Sequence, residues 1–130
     1  MKTLCTLCIF LFLLACSQPA SETISDLLAP ADFADKLKSN GDAVLLDVRS
    51  TQEMQQGFIE GAQQLDYNGP GFKNLIASLD KSKTYFVYCA SGKRSGKTLE
   101  MMKGMGFKNV AAMDGGLNAW TAAGLPLAKP

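Results

Sequence analysis

The 130-residue chain contains no histidine. That absence removes the commonest general base, every Ser–His or Cys–His dyad and every metal site that depends on an imidazole. Net charge is almost missing as well. With 13 Lys plus Arg against 12 Asp plus Glu, the chain offers no general positive field to a nucleic acid, and whatever it binds it binds locally. Internal repeats and low-complexity segments are lacking, and nothing in the pattern implies a metal or a dissociable cofactor. What remains is a chain long enough for one domain around one core, and its 47% hydrophobic content argues against disorder.

The one long uncharged stretch, Leu4 to Ala15 after Lys2, matches the apolar region of an export signal and is too short to span a bilayer. Its end, Leu13-Leu14-Ala15-Cys16, resembles the lipobox of bacterial lipoproteins. The resemblance implies cleavage before Cys16, a diacylglyceryl group on its sulfur and a durable hold on a membrane. An ordinary secretory signal cleaved nearby is the alternative. Ser17 in place of Asp implies, by the same resemblance, sorting to an outer membrane where the cell has one. Residues 1–15 are thus expected to be signal, 16–23 a lipidated start and polar tether, and 24–130 the folded domain facing the periplasmic side. Losing residues 1–15 removes Lys2 and no acid, leaving 12 basic against 12 acidic residues. It also removes Cys5 and Cys8, so that with Cys16 acylated Cys89 is the only free thiol, in a compartment that favours disulfides.

From Ile24 onward short apolar runs alternate with helical stretches. Asp32–Ser39 reads as a short amphipathic helix with Phe33 and Leu37 inward, stopped at Asn40-Gly41. Ala43–Leu46, extended by Val48, reads as a strand buried on both faces. Phe72, Leu75, Ile76 and Leu79 make one helix face. Thr84–Tyr88 reads as a second buried strand, Ser95–Met105 as a helix with Leu99 and Met102 inward, Asn109–Met113 as a third strand and Leu117–Ala123 as a last helix. This alternation predicts an α/β fold with a small parallel sheet flanked by helices on both faces, and a site beyond the carboxyl ends of its strands.

The most informative such end is Cys89-Ala90-Ser91-Gly92-Lys93-Arg94-Ser95, between a strand and a helix start. A cysteine there faces amide hydrogens and the positive end of a helix, both of which favour a thiolate and lower its pKa below the free value of about 8.5. Gly92 lets the backbone curl, and Lys93 and Arg94 add charge for an anionic substrate. A lone cysteine is otherwise a small buried apolar residue, and two basic residues a solvated pair; the position in the fold favours the reactive thiol. That account requires a sulfur that a donor can reach.

Leu45-Leu46-Asp47-Val48-Arg49, Glu53, Gly57-Phe58-Ile59-Glu60-Gly61-Ala62, Cys89 to Ser95, Asp114-Gly115-Gly116, Trp120 and Gly124-Leu125-Pro126 together resemble a single-domain rhodanese over residues 24–128. The resemblance implies about five parallel strands and a sulfurtransferase. In it Cys89 takes a sulfane sulfur from a small anionic donor such as thiosulfate, holds it as a covalent persulfide and passes it to a thiol or cyanide. The amides of Ala90, Ser91, Gly92, Lys93, Arg94 and Ser95 would form the cradle. Asp47 and Arg49 are expected to support the loop, the carboxylate capping the next helix or pairing with Arg94. Asp114 is expected to cap the last helix and Trp120 to lie in the core. One departure is Phe58, where the family usually has a histidine.

Two other readings compete. Dual-specificity phosphatases of the cell-cycle type use Cys and Arg in a similar loop, but with one more residue between them than separates Cys89 from Arg94. Non-catalytic rhodanese-like binding modules commonly lack the cysteine that this chain keeps.

Overall fold

Buried strands alternate with short helices, and the apolar runs set where. The computed structural model describes residues 27–130. The chain runs β1 (Leu27–Leu28), α1 (Pro30–Ser39), β2 (Val44–Asp47), α2 (Thr51–Met54), β3 (Gln63–Gln64), α3 (Phe72–Ala77), β4 (Thr84–Tyr88), α4 (Lys93–Gly104), β5 (Asn109–Met113) and α5 (Gly116–Ala122). The expected signal, the tether, Cys16 and residues 24–26 of the expected domain lie outside the described residues. Among the described residues no helix is long and apolar enough to cross a membrane.

All five strands are parallel, in the order β1-β5-β4-β2-β3. Side chains of a strand alternate between faces, so β4 feeds two cores. Tyr85, Val87 and Cys89 join Leu99 and Met102 of α4 and Phe72 and Ile76 of α3. Phe86 and Tyr88 join Phe33 of α1 and Leu117 and Trp120 of α5. From β2 the chain moves outward to β3, and from β4 it moves the other way to β5. The loops leaving β2 and β4 therefore diverge at their carboxyl ends, the switch point where sheets of this kind place their sites.

Several expectations need correction. Leu75 does not share the inward face of α3: it is 48% exposed, because α3 is a single short segment that buries only Phe72 and Ile76. Helix α4 opens at Lys93 rather than Ser95, with left-handed Gly92 before it. Asp114 does not cap α5. The residue before that helix is Gly115, no side chain caps it, and Asp114 instead donates its backbone N–H to Leu28 O at 2.8 Å. The two-residue strands β1 and β3 and the single turn of α2 are additions. Phe58, which stands where the family has histidine, pairs its backbone with Ala128 through bonds of 2.9 and 2.8 Å and so ties the C-terminus to this edge.

Candidate active site

Cys89 is the first residue after β4, and its sulfur turns toward the N-terminus of α4. Gly92 N–H donates to Sγ at 3.1 Å and Ser95 N–H at 3.4 Å, while Ser95 Oγ lies 3.3 Å away. The backbone N–H of Arg94 adds to the same field. Burial pushes the Cys89 thiol up, but the Ser95 hydroxyl and the amides of Ser95, Gly92 and Arg94 outweigh it, and the pKa lies below that of an ordinary cysteine. Three amides, rather than all six of Ala90 to Ser95, thus serve the sulfur. Ala90 contributes its carbonyl to α5, and Ser91 and Lys93 point to solvent.

Two glycines make this curl possible. Gly92 has φ +94°, and a Cβ there would meet Gly115 N at 3.1 Å. Gly116 has φ +59°, and a Cβ would come within 2.6 Å of the carbonyl oxygens of Cys89 and Ala90. The close approach lets Leu117 N–H reach Cys89 O at 2.8 Å and Asn118 N–H reach Ala90 O at 3.0 Å. The free amides at the start of α5 therefore hold the sulfur loop from beneath.

The sulfur is not open to solvent. Cys89 is wholly buried, which corrects the expectation of an accessible thiol. Its surroundings are nevertheless unlike those of an inert core cysteine. It is bonded by polar donors on one side, and the next residues of its own loop, Ser91 and Lys93, are exposed. The sulfur thus lies beneath a loop whose Ser91 and Lys93 face solvent.

Asp47 neither caps α2 nor pairs with Arg94. Its carboxylate is buried against Arg49, which donates from Nε at 2.9 Å to one oxygen and from a terminal nitrogen at 2.6 Å to the other. Tyr88 Oη donates to the same carboxylate at 2.7 Å and accepts from Ile59 N–H at 3.1 Å; Arg49 also donates to Gly57 O at 2.8 Å. This network fixes the Gly57–Ile59 segment against the sheet, beneath the residue that precedes Cys89. The cap of α2 is Ser50, in a reciprocal capping box with Glu53. Arg94 pairs with Glu53 too, its two terminal nitrogens on the two carboxylate oxygens at 2.8 and 2.9 Å. That bond holds Glu53 at about 2: the Arg94 guanidinium lowers it most, burial opposes, and the Ser50 amide and hydroxyl lower it further. The stability this adds is complete above the ordinary value of 4.5 and is lost only as pH falls through about 2. Glu53 and Tyr88 were given no role by sequence reasoning; the S-x-x-E pattern Ser50–Glu53 is the one local signal that marks Glu53.

The match to a family model decides what this geometry belongs to. Residues 29–123 match the rhodanese-like domain. The chain belongs to the rhodanese family. It is 30% identical over 98 residues to a sulfurtransferase of Allochromatium vinosum, covering 75% of this chain and 90% of that protein. It is 34% identical over 93 residues to the thiosulfate sulfurtransferase GlpE of Pseudomonas savastanoi, covering 72% of this chain and 85% of that protein. Among solved structures, a rhodanese-related protein from Thermoplasma volcanium superimposes with TM-score 0.71 at 25% identity, covering 81% of this chain and 99% of the other. A protein of unknown function from Rhodopseudomonas palustris, described as a possible tyrosine phosphatase, superimposes with TM-score 0.68 at 28% identity, covering 79% and 84%. The rhodanese fold is thus shared with chains of more than one suggested chemistry, and the loop at Cys89 has to choose between them.

Proposed function

We propose that this rhodanese is a sulfurtransferase that carries sulfane sulfur as a Cys89 persulfide. The observation that supports it is the sulfur itself, with amide and hydroxyl donors converging on it and no histidine in the chain to take their place. With thiosulfate as donor, the Cys89 thiolate attacks the outer sulfur. A Cys–S–S bond forms, the bond to the sulfonate sulfur breaks, and sulfite leaves with the electron pair. The outer sulfur of the persulfide then occupies the field of the same amides. A thiolate or cyanide attacks it, takes it as a persulfide or thiocyanate, and returns Cys89 as thiolate. No external oxidant or reductant enters.

Incubation with thiosulfate followed by intact-protein mass measurement tests this: the chain gains one sulfur, cyanide removes it, and prior alkylation of Cys89 prevents it. A chain that gains nothing from thiosulfate, persulfides or polysulfides is not a sulfur carrier. The phosphatase reading draws on the Rhodopseudomonas relative. Between Cys89 and Arg94 there is one residue fewer than in the dual-specificity phosphatase loop, which leaves a tighter curl that suits a sulfur atom better than a phosphoryl group. Vanadate-sensitive hydrolysis of an aryl phosphate would reverse that choice.

Export and lipid attachment at Cys16 complete the proposal, placing the domain on the periplasmic side of a membrane through acyl chains rather than through a spanning helix. Metabolic labelling with palmitate is expected to mark the full chain and to be lost on Cys16→Ser. Label retained by that variant would refute lipidation there.

A further inference from the structure

Glu53 sits in a place that its capping role alone does not require. Its carboxylate is oriented by Ser50, whose backbone N–H and hydroxyl both donate to Oε2 at 3.0 Å. So held, it takes both terminal nitrogens of Arg94 across 41 residues of sequence. These are the only hydrogen bonds among the described residues that join α2 to the Cys89–Ser95 loop. The consequence is electrostatic. Two cations flank the sulfur in sequence, yet one is spent on a carboxylate in a two-pronged pair, and an incoming anion must compete with a prepositioned partner to reach it. Lys93 is exposed and has no hydrogen-bond or ion-pair partner among the described residues. It is the cation left to greet a donor.

Resting on the sulfurtransferase reading, we propose that Glu53 is a positioning residue that sets the charge selectivity of Cys89. By holding Arg94 it tunes the loop toward donors with less negative charge at the reacting sulfur, such as organic persulfides, and away from small dianions. Glu53 touches neither the sulfur nor a substrate; it acts through Arg94. The Ser50 capping box makes the proposal separable from folding, because glutamine at this helix position also completes such a box. Glu53→Gln therefore removes the charge while keeping the bond that starts α2.

The probe is the alkylation of Cys89 in the full chain at low salt by two reagents that share a leaving group, neutral iodoacetamide and anionic iodoacetate. Freeing Arg94 in Glu53→Gln is expected to raise the iodoacetate-to-iodoacetamide rate ratio by about tenfold, the lower end of what a local field does to association rates. Salt near 1 M is expected to erase most of that gain. Arg94→Gln, which leaves Glu53 unneutralised, is expected to move the ratio the other way, and it stands as a second test if the first variant folds poorly. In transfer assays Glu53→Gln lowers the KM for thiosulfate with a smaller change in kcat. An unchanged ratio in both variants overturns the proposal, and so does an equal acceleration of both reagents, which would show a loop merely loosened. Alkylation does not depend on sulfur transfer. A chain that takes no sulfur yet shows the shift sinks the sulfurtransferase reading alone, whereas transfer without the shift sinks only the role given to Glu53.

Discussion

If Cys89 carries the sulfur as proposed, Cys89→Ser is expected to leave the fold standing and to take persulfide formation to the uncatalysed background, a loss of at least about a thousandfold in transfer rate. The reasoning starts from the two side chains. A serine oxygen in the same place still accepts from the amides of Gly92 and Ser95, so a buried polar atom is not left without partners. It has no sulfur to form an S–S bond, and its hydroxyl stays protonated where the thiol ionises. Thermal unfolding reports the first half of the expectation, and the sulfur gained from thiosulfate reports the second. On the proposed mechanism the thiolate is the reactive form, and the lowered pKa sets the direction of the pH profile. Alkylation by iodoacetamide rises with pH and levels off, with its midpoint below the value of about 8.5 for a free cysteine. A midpoint at or above that value would remove the amide account, because burial would then have won over the hydrogen bonds.

What the sequence made legible follows from the range of each interaction. The Cys89 loop could be read because its signal is local: an apolar strand, a glycine and a helix start in one short run. The three central strands and the inward faces of Phe33, Leu99 and Met102 are set by burial, and burial leaves a period in the sequence. Strands β1 and β3, with two residues each, and α2, with one turn, are too short to leave one. Asp47 was legible as a residue of the site's surroundings but not in its partner. Its neighbour two residues on, Arg49, folds back onto it, while the more distant Glu53 captures Arg94. Choosing between those pairings depends on which strand ends lie side by side, and that is fixed only when β2 and β4 pair. Gly116 was legible only as part of the Asp114-Gly115-Gly116 run that carries the family resemblance. Its actual constraint is the carbonyl oxygens of Cys89 and Ala90, which approach it from another loop.

Asp47→Ala is expected to cost about 3–5 kcal/mol of folding stability, the range for a buried ion pair that loses one partner. The cost comes from what stays behind. Arg49 is only 4% exposed, and without the carboxylate its guanidinium keeps only two neutral acceptors, the Gly57 carbonyl at 2.8 Å and the Glu53 carbonyl at 3.4 Å. Tyr88 Oη loses the acceptor at 2.7 Å, and the Arg49 backbone N–H loses its bond to the same side chain at 3.0 Å. Against a total stability of about 5–15 kcal/mol such a loss brings the chain near unfolding at ambient temperature. A shift in the urea midpoint with an unchanged slope measures it. The triple variant Asp47→Leu, Arg49→Met, Tyr88→Phe removes all three polar side chains together and is expected to recover part of the lost stability, since apolar groups of similar volume replace a buried pair at little net cost. Ile59 N–H, the backbone N–H of residue 49 and the Gly57 carbonyl are then left without the partners they had, and since each such buried group costs about 1–3 kcal/mol, recovery should be only partial. A single Asp47→Ala loss below about 1 kcal/mol would mean that water enters and solvates Arg49, and that the network under the sulfur loop is softer than its distances imply.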